Sequence, residues 1–257
     1  RTVGFDVAFP EKDDSSGLSV LEKIGKGDLK DDPGYQGFLE NARKTLDYDR
    51  ILAEELAKYP VVLGFFLSPG SNKAGVLPAP TFTDEGLKLK GRTMKHHVAT
   101  GYSGNIPILQ ANAAAAGHLY PALDFDGVTR RVPMFHKYQD SYYEALSLAL
   151  ARTYLGNIPA RVTLEELQKD LVAVSAIKLN QIEIPLDQYM SALVPFRGAT
   201  GVFQHVSATD VIRGTLAEDA LRDKIIIVGT SAQGLFDLRA TPVKEDYPGV
   251  EVHANLI

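Results

Sequence analysis

The 257-residue chain contains no cysteine. That excludes disulfides, thiolate zinc sites and thiol catalysis, and leaves the compartment open. Nor is there an apolar run approaching the ~18 residues that a membrane-spanning helix needs. The longest, at 61–67, has the length of a strand. Basic residues are not in excess. Lys and Arg number 27 against 32 Asp and Glu, for a net charge of −5, and no Lys/Arg-rich run occurs. A non-specific nucleic-acid surface would be basic, so that class is disfavoured. Several catalytic signatures are missing too. The six His form no HExxH or His-x-His. There is no G-x-S-x-G to hold an α/β-hydrolase nucleophile and no G-x-G-x-x-G for a dinucleotide. What remains is an ordinary globular composition, 45% hydrophobic and 23% charged, able to bury a sizeable core. Arg1 is not an initiator Met, so the chain is expected to be a fragment of a longer protein.

The residues that are present are organised around 224–257. Ile225-Ile226-Ile227-Val228 lies between Lys224 and Gly229. It reads as a strand buried on both faces, as in the parallel sheets of α/β proteins. Such sheets place ligand sites just past the carboxyl end of a strand, where Thr230 and Ser231 fall. An Asp-x-x-x-Thr-Pro segment follows at 237–242, then Pro248-Gly249, then a first helical turn from His253.

Upstream, Val3, Phe5, Val7 and Phe9 alternate with Thr2, Gly4, Asp6 and Ala8. That predicts a strand over 2–9, ended by Pro10, with Asp6 inside it on the smaller face. Residues 11–46 read as an elaborated connection with two helical pieces, one at Leu18/Leu21 and one after Asp32-Pro33. The spacing of Tyr48, Ile51, Leu52, Leu56 and Tyr59 predicts a helix stopped by Pro60. The 61–67 strand then completes a βαβ unit. Residues 68–104, rich in Gly, Pro and Ser, read as a long loop. A helix is expected over 107–116 and a short strand over 117–120. Asp126-Gly127 between apolar segments predicts a hairpin. Ser141-x-x-Glu144 and Thr163-x-x-Glu166 have the form of capping boxes opening two helices. A short strand is expected at 193–196. Ser207-x-x-Asp210 and Thr215-x-x-Glu218 cap two further short helices. No repeat or linker divides the chain. One domain over 1–257 is expected, with an α/β fold: a mixed, largely parallel central sheet flanked by helices, with an Asp-Gly hairpin.

Gly229-x-x-x-x-Gly234 has the first half of a phosphate loop, but Leu235 and Phe236 stand where Lys and Ser/Thr belong. Without the Lys, nucleotide hydrolysis is improbable. The segment reads as a strand-to-loop turn whose N–H groups and hydroxyls could still hold a small anion. Asp124-x-Asp126-Gly127 lacks the spacing of a calcium loop and reads as a turn. Strand alternation sends Arg130 and Arg131 to opposite faces, so at most one serves a given site and the other pairs with a carboxylate. His96-His97 falls in the long loop and reads as solvated. His253 opens the terminal helix, where capping is the first reading and ligand contact the second. Asp6 is either paired with an arginine or facing a cavity.

Several stretches, in order along the chain, resemble the second subtype of the CHASE sensory domains. They are 5–9 (Phe-Asp-Val-Ala-Phe), 126–133 (Asp-Gly-Val-Thr-Arg-Arg-Val-Pro), 195–198 (Pro-Phe-Arg-Gly), 224–230, Asp237, Thr241-Pro242 and 248–255 (Pro-Gly-Val-Glu-Val-His-Ala-Asn). The D-G-x-x-R-R and P-G-V-E-x-H-A-N stretches carry most of the specificity, and the long connection at 11–46 departs from the family. The resemblance implies an extracytoplasmic input domain of a bacterial membrane receptor, on the periplasmic side and anchored in the inner membrane. A further strand and helix before Phe5, membrane helices on each side and a cyclase or histidine-kinase output domain are expected with it.

Three functions are therefore in play. The first is a sensor, without catalytic residues, metal or cofactor, that binds a small polar or anionic ligand. Thr230, Ser231, Asp237 and Thr241 would hold the ligand, with Asp6 and Arg130 or Arg131 nearby, and the signal would leave through the helix at His253. The second is a ligand-free assembly module, a homodimer or a partner-protein surface, marked by apolar surface on 68–104 or 141–155. The third and weakest is a metal-dependent hydrolase using Asp6 and Asp237.

Overall fold

Three apolar segments far apart in the chain meet as parallel neighbours. In the computed structural model, which describes residues 1–199, 201–217, 219–230 and 237–257, the Thr2–Phe5 strand lies between Val61–Ser68 and Ile225–Val228. Phe5 stands opposite Leu63 on one side and Val228 on the other. Ala115–His118 adds in parallel to Val61–Ser68, with Gly117 opposite Gly64. The far end of Val61–Ser68 pairs antiparallel with Gly101–Ser103, which in turn takes Lys73–Ala74 in parallel. The result is a mixed six-stranded sheet; among the described residues the chain also forms two four-stranded and two two-stranded sheets, with seven helices. The fold is mixed α/β.

The central strand is apolar without alternation because both of its faces are covered: Val62, Leu63 and Phe65 have no exposed surface. One cover is the Leu146–Tyr154 helix. Its Leu146, Ala149 and Leu150 are fully buried and pack with Val62, Leu119, Ile225 and Ile227. Burying each such leucine stabilises the fold by about 1.5–3 kcal/mol. The helix comes close enough that a Cβ on Gly117 would lie 2.5 Å from the Leu146 backbone. Only glycine permits that approach. The other face is filled by Leu56, Ile106, Leu109, Tyr138 and Tyr143.

Several expected elements differ, and the differences share a cause. Ser141–Glu144 is a strand, hairpinned onto Phe135–Tyr138 through Gln139, which takes φ 55°. Arg161–Gln168 is likewise a strand, paired with Leu171–Leu179, which also pairs with Ile182–Pro185. In both cases a Ser/Thr-x-x-Glu spacing imitates a helix cap, and pairing of β-branched and aromatic residues across a two-residue turn overrides it. The Asp126-Gly127 turn exists, with Gly127 N–H donating to Asp124 C=O at 2.8 Å. Its flanks form only a single bridge, Ala122 to Arg131, because Arg131–Pro133 pairs instead with Ser191–Leu193. The first strand ends at Phe5, so Asp6 is not in a strand interior. Ile225–Val228 is half-exposed rather than buried on both faces, since among the described residues it has a neighbour on one side only. The alanine run at 113–116 leaves the Pro107–Asn112 helix and starts a strand. The 68–104 loop holds five short strands. Glu218, and with it the last capping box, lies outside the described residues.

Candidate functional site: a polar cleft at the carboxyl edge of the sheet

Asp6 is the first residue past the Thr2–Phe5 strand, and its N–H donates to Val228 C=O at 2.8 Å. This hydrogen bond holds it beside the end of the neighbouring strand, where Gly229 and Thr230 follow. A Cβ at Gly229 would stand 2.9 Å from Val250 and 3.2 Å from the Asp6 Cβ, so the missing side chain lets the terminal helix approach Asp6. Leu238–Arg239 pairs with Tyr247–Pro248, which sets Asp237 beside the start of the Gly249–Leu256 helix. Gly249 N–H donates to Asp237 C=O at 2.8 Å. From that helix Val252 and His253 reach the same place. Asp6, Thr129, Thr230, Asp237, Arg239 and His253 thus line one cleft of about 380 Å³, walled by Phe66, Leu119 and Val252.

The charges in this cleft are unevenly matched. The Asp6 carboxyl is 8% exposed, and its nearest basic atom is His253 Nε2 at 3.9 Å, outside hydrogen-bond range. Burial pushes the Asp6 carboxyl up to about 6, with Arg239 acting against the shift. Burial pushes His253 down to about 4, against the pull of Asp237, so its imidazole is neutral at neutral pH. Its Nδ1 is buried and has no hydrogen-bond partner. Asp237 is raised, first by burial and then by the like charge of Asp6. Arg239 counters with Nη2 donating to Asp237 Oδ1 at 3.0 Å. The Thr129 hydroxyl is also buried without a partner, although its N–H donates to Ala240 C=O. Three polar groups short of partners therefore face one volume, with two carboxylates against a single guanidinium.

The structure brings together Asp6, Thr230, Asp237 and His253 of the expected site residues, and separates the rest. Ser231 lies outside the described residues. Thr241 closes a turn instead, its hydroxyl donating to Lys244 C=O at 2.8 Å and accepting from Lys244 N–H. Arg130 forks onto Asp126 and also reaches Asp124 at 2.8 Å, which braces its own loop. Arg131 faces Asp187, 3.7 Å away, on a different cavity. Arg130 is committed to its own loop and Arg131 lines another cavity, so neither lines this cleft. Arg239 and Thr129 are the residues that sequence reasoning missed. Arg239 is two positions past Asp237, the spacing that puts both on one face of an extended segment. Thr129 sits within the 126–133 stretch itself.

The terminal helix is moored by the same stretches. Asn255 accepts from Arg197 N–H at 2.9 Å and donates to Tyr247 Oη at 2.8 Å. Glu251, buried, hydrogen-bonds His205 Nε2 at 3.0 Å. Together 195–198, 237 and 247–255 form one interlocked unit around the helix. His96 and His97 are half-buried and not solvated. His96 meets Tyr142 edge to face and hydrogen-bonds Met94 C=O, and His97 lies against Tyr120, His136 and Tyr189. Among the described residues no group of three His, Asp or Glu is arranged to hold a metal ion.

Fold and cleft define a mixed α/β protein with a polar cleft against its last helix. The family model of the CHASE2 domain matches residues 1–257, and the chain belongs to that family of extracellular sensory domains. A comparison with curated proteins and one with solved structures returned no match. The family is sensory rather than catalytic. No helix among the described residues is long and apolar enough to cross a membrane.

Proposed function

We propose that this domain is the signal input of a membrane receptor with a cyclase or histidine-kinase output, and that the cleft at Asp6 takes a small polar ligand. The observation that carries the reading is the Asp6–His253 pair. A buried carboxylate from the sheet and a buried imidazole from the terminal helix face each other at 3.9 Å, too far to bond. A ligand donating to Asp6 while contacting His253 would fill that gap and tie the helix to the sheet. Two carboxylates outweigh Arg239, so the chemistry favours a hydroxyl-rich or amine-bearing ligand over an anion. The ligand signals only by its differential affinity for two arrangements of the helix.

The test is a thermal-shift screen of polyols, sugars, amines and carboxylates on the purified domain. Hits are then followed by hydrogen exchange across 249–256. We expect a polyol or amine to raise the melting temperature and slow exchange in that helix, and Asp6→Asn to weaken both effects about tenfold or more. A screen in which only carboxylates bind, or in which hits leave 249–256 unchanged, would sink the reading. A second reading, homodimerisation or partner binding without a ligand, is favoured by the exposed Leu123 and Phe125, and its measure is oligomeric state in solution.

A further inference from the structure

A second cavity, about 470 Å³, shares none of the Asp6 cleft's lining residues and meets the same face of the terminal helix one turn further along, at Leu256. Its walls are apolar: Met134, Leu148 and Ala151, Ile184 and Leu186, and Leu256 from the terminal helix. Both its size and its lining are those of a small-molecule pocket, in which a few polar groups set orientation. Three polar side chains matter here. Ser147 lines the cavity, is 2% exposed, and its hydroxyl has no hydrogen-bond partner. Arg131 lies at its rim with Nε 3.7 Å from Asp187 Oδ2, too long for a hydrogen bond. Asp187 is committed elsewhere, its Oδ1 accepting from the N–H groups of Tyr189 and Ser191 at 2.9 and 3.0 Å.

The guanidinium therefore keeps its donors, and the one carboxylate near it is already part of a turn. Ser147 and Leu148 also belong to the first turn of the nine-residue Leu146–Tyr154 helix, whose N-terminus has no side-chain cap. The positive end of that helix therefore lies in the cavity wall, where it favours negative charge. An unpartnered hydroxyl, an underused guanidinium and a helix N-terminus ask for an acceptor with negative charge. Apart from Asp187 and Ser191, the rest of the lining is hydrocarbon.

We infer that this cavity binds a small aliphatic carboxylate. Its head group would lie on Arg131 and Ser147, and its chain along Leu148, Ile184 and Leu256. Such a ligand would satisfy the Ser147 hydroxyl, whose burial without a partner costs free energy. It would also take up the fork of donors that Arg131 presents. Occupancy would be felt by the terminal helix through Leu256, one turn beyond His253. The two sites thus read the same face of one element, a turn apart.

The probe is octanoate below its micellar range, with octan-1-ol and octylamine as matched controls, titrated calorimetrically into the purified domain. Octanoate is expected to bind saturably at one site, at least about tenfold tighter than either control. Arg131→Gln should bring octanoate down to the level of octanol, and Ala151→Phe should fill the cavity and abolish binding. Far-UV circular dichroism checks that both variants fold. Arg131 is a surface group, so Arg131→Gln keeps the test decisive even if Ala151→Phe does not fold. Octanol binding as tightly as octanoate, or Arg131→Gln binding octanoate unchanged, would overturn the inference. Asp6→Asn should leave octanoate affinity as it is, which separates this site from the polar cleft.

Discussion

Asp6 and His253 are shifted in opposite directions by one cause, burial, and their effects on stability run in opposite senses. Asp6 in the fold holds its proton up to about pH 6, against a usual 3.8. The folded state therefore binds more protons than the unfolded one across that window, and stability falls as pH rises from about 4 to 6. His253 in the fold gives up its proton near 4, against a usual 6.5. There the unfolded state binds more protons, and stability rises with pH over nearly the same window. In the wild type the two slopes largely cancel. Removing one group exposes the other. Relative to wild type, Asp6→Asn should gain stability as pH rises from 4 to 6, by on the order of 2–3 kcal/mol. His253→Gln should lose stability over the same range. Urea unfolding at several pH values measures both differences; parallel pH profiles for the three proteins would show that the pair is not buried as described. Asp6 reads from the sequence as paired with an arginine or facing a cavity, and the structure sets it in a cleft with Arg239. Of Arg130 and Arg131 the sequence allows at most one in a given site and pairs the other with a carboxylate, and Arg130 is held by carboxylates of its own loop. Asp124 and Asp126 lie within six residues of Arg130, and local ion pairs of this kind form more readily than distant ones.

At the scale of elements, the sequence was most legible where local chemistry decides. Asp32 caps the Pro33–Leu46 helix by accepting from Tyr35 N–H, and Asp47 caps Tyr48–Leu56 in the same way. Pro60 closes the approach to the Val61–Ser68 strand. Legibility failed where a hairpin competes with a helix cap: 141–144 and 161–168 fold back onto 135–138 and 171–179 across two-residue turns, and the Ser/Thr-x-x-Glu spacing masks this. The terminal helix shows both effects. A helical start at His253 was readable, but the helix begins at Gly249, because Asp237 C=O waits there for its N–H. Asn255 is the residue that fixes this helix in place. Asn255→Ala would leave the Arg197 N–H without its acceptor and remove one of the Tyr247 hydroxyl's two partners, at about 1–3 kcal/mol in all. It should also raise hydrogen exchange across 249–256 well before the buried Leu146–Tyr154 helix is affected. If both helices lose protection together, the terminal helix is no separate unit and could not carry a signal independently.

On the scale of the whole molecule, two cavities and a braced apolar tip compete to explain what the domain responds to. The expected apolar surface on 68–104 or 141–155 is not where the most exposed ring among the described residues lies; that ring is Phe125, fully exposed beside Leu123. Isolated exposed apolar residues are common and by themselves mean little. This one is different because ion pairs brace its loop. Arg130 hydrogen-bonds Asp124 and Asp126 on either side of Phe125, so the ring is presented without the ordering cost that a loose loop would add on binding. A net charge of −5 opposes self-association by general repulsion, so any dimer must rest on specific apolar contact of this kind. Sedimentation velocity across a concentration series should show a monomer–dimer equilibrium. Phe125→Ser should weaken it about tenfold or more while leaving the melting temperature unchanged, because the ring supports nothing in its own fold. A wild type that stays monomeric throughout, indistinguishable from Phe125→Ser, would remove the assembly reading and leave the domain's response to its cavities alone.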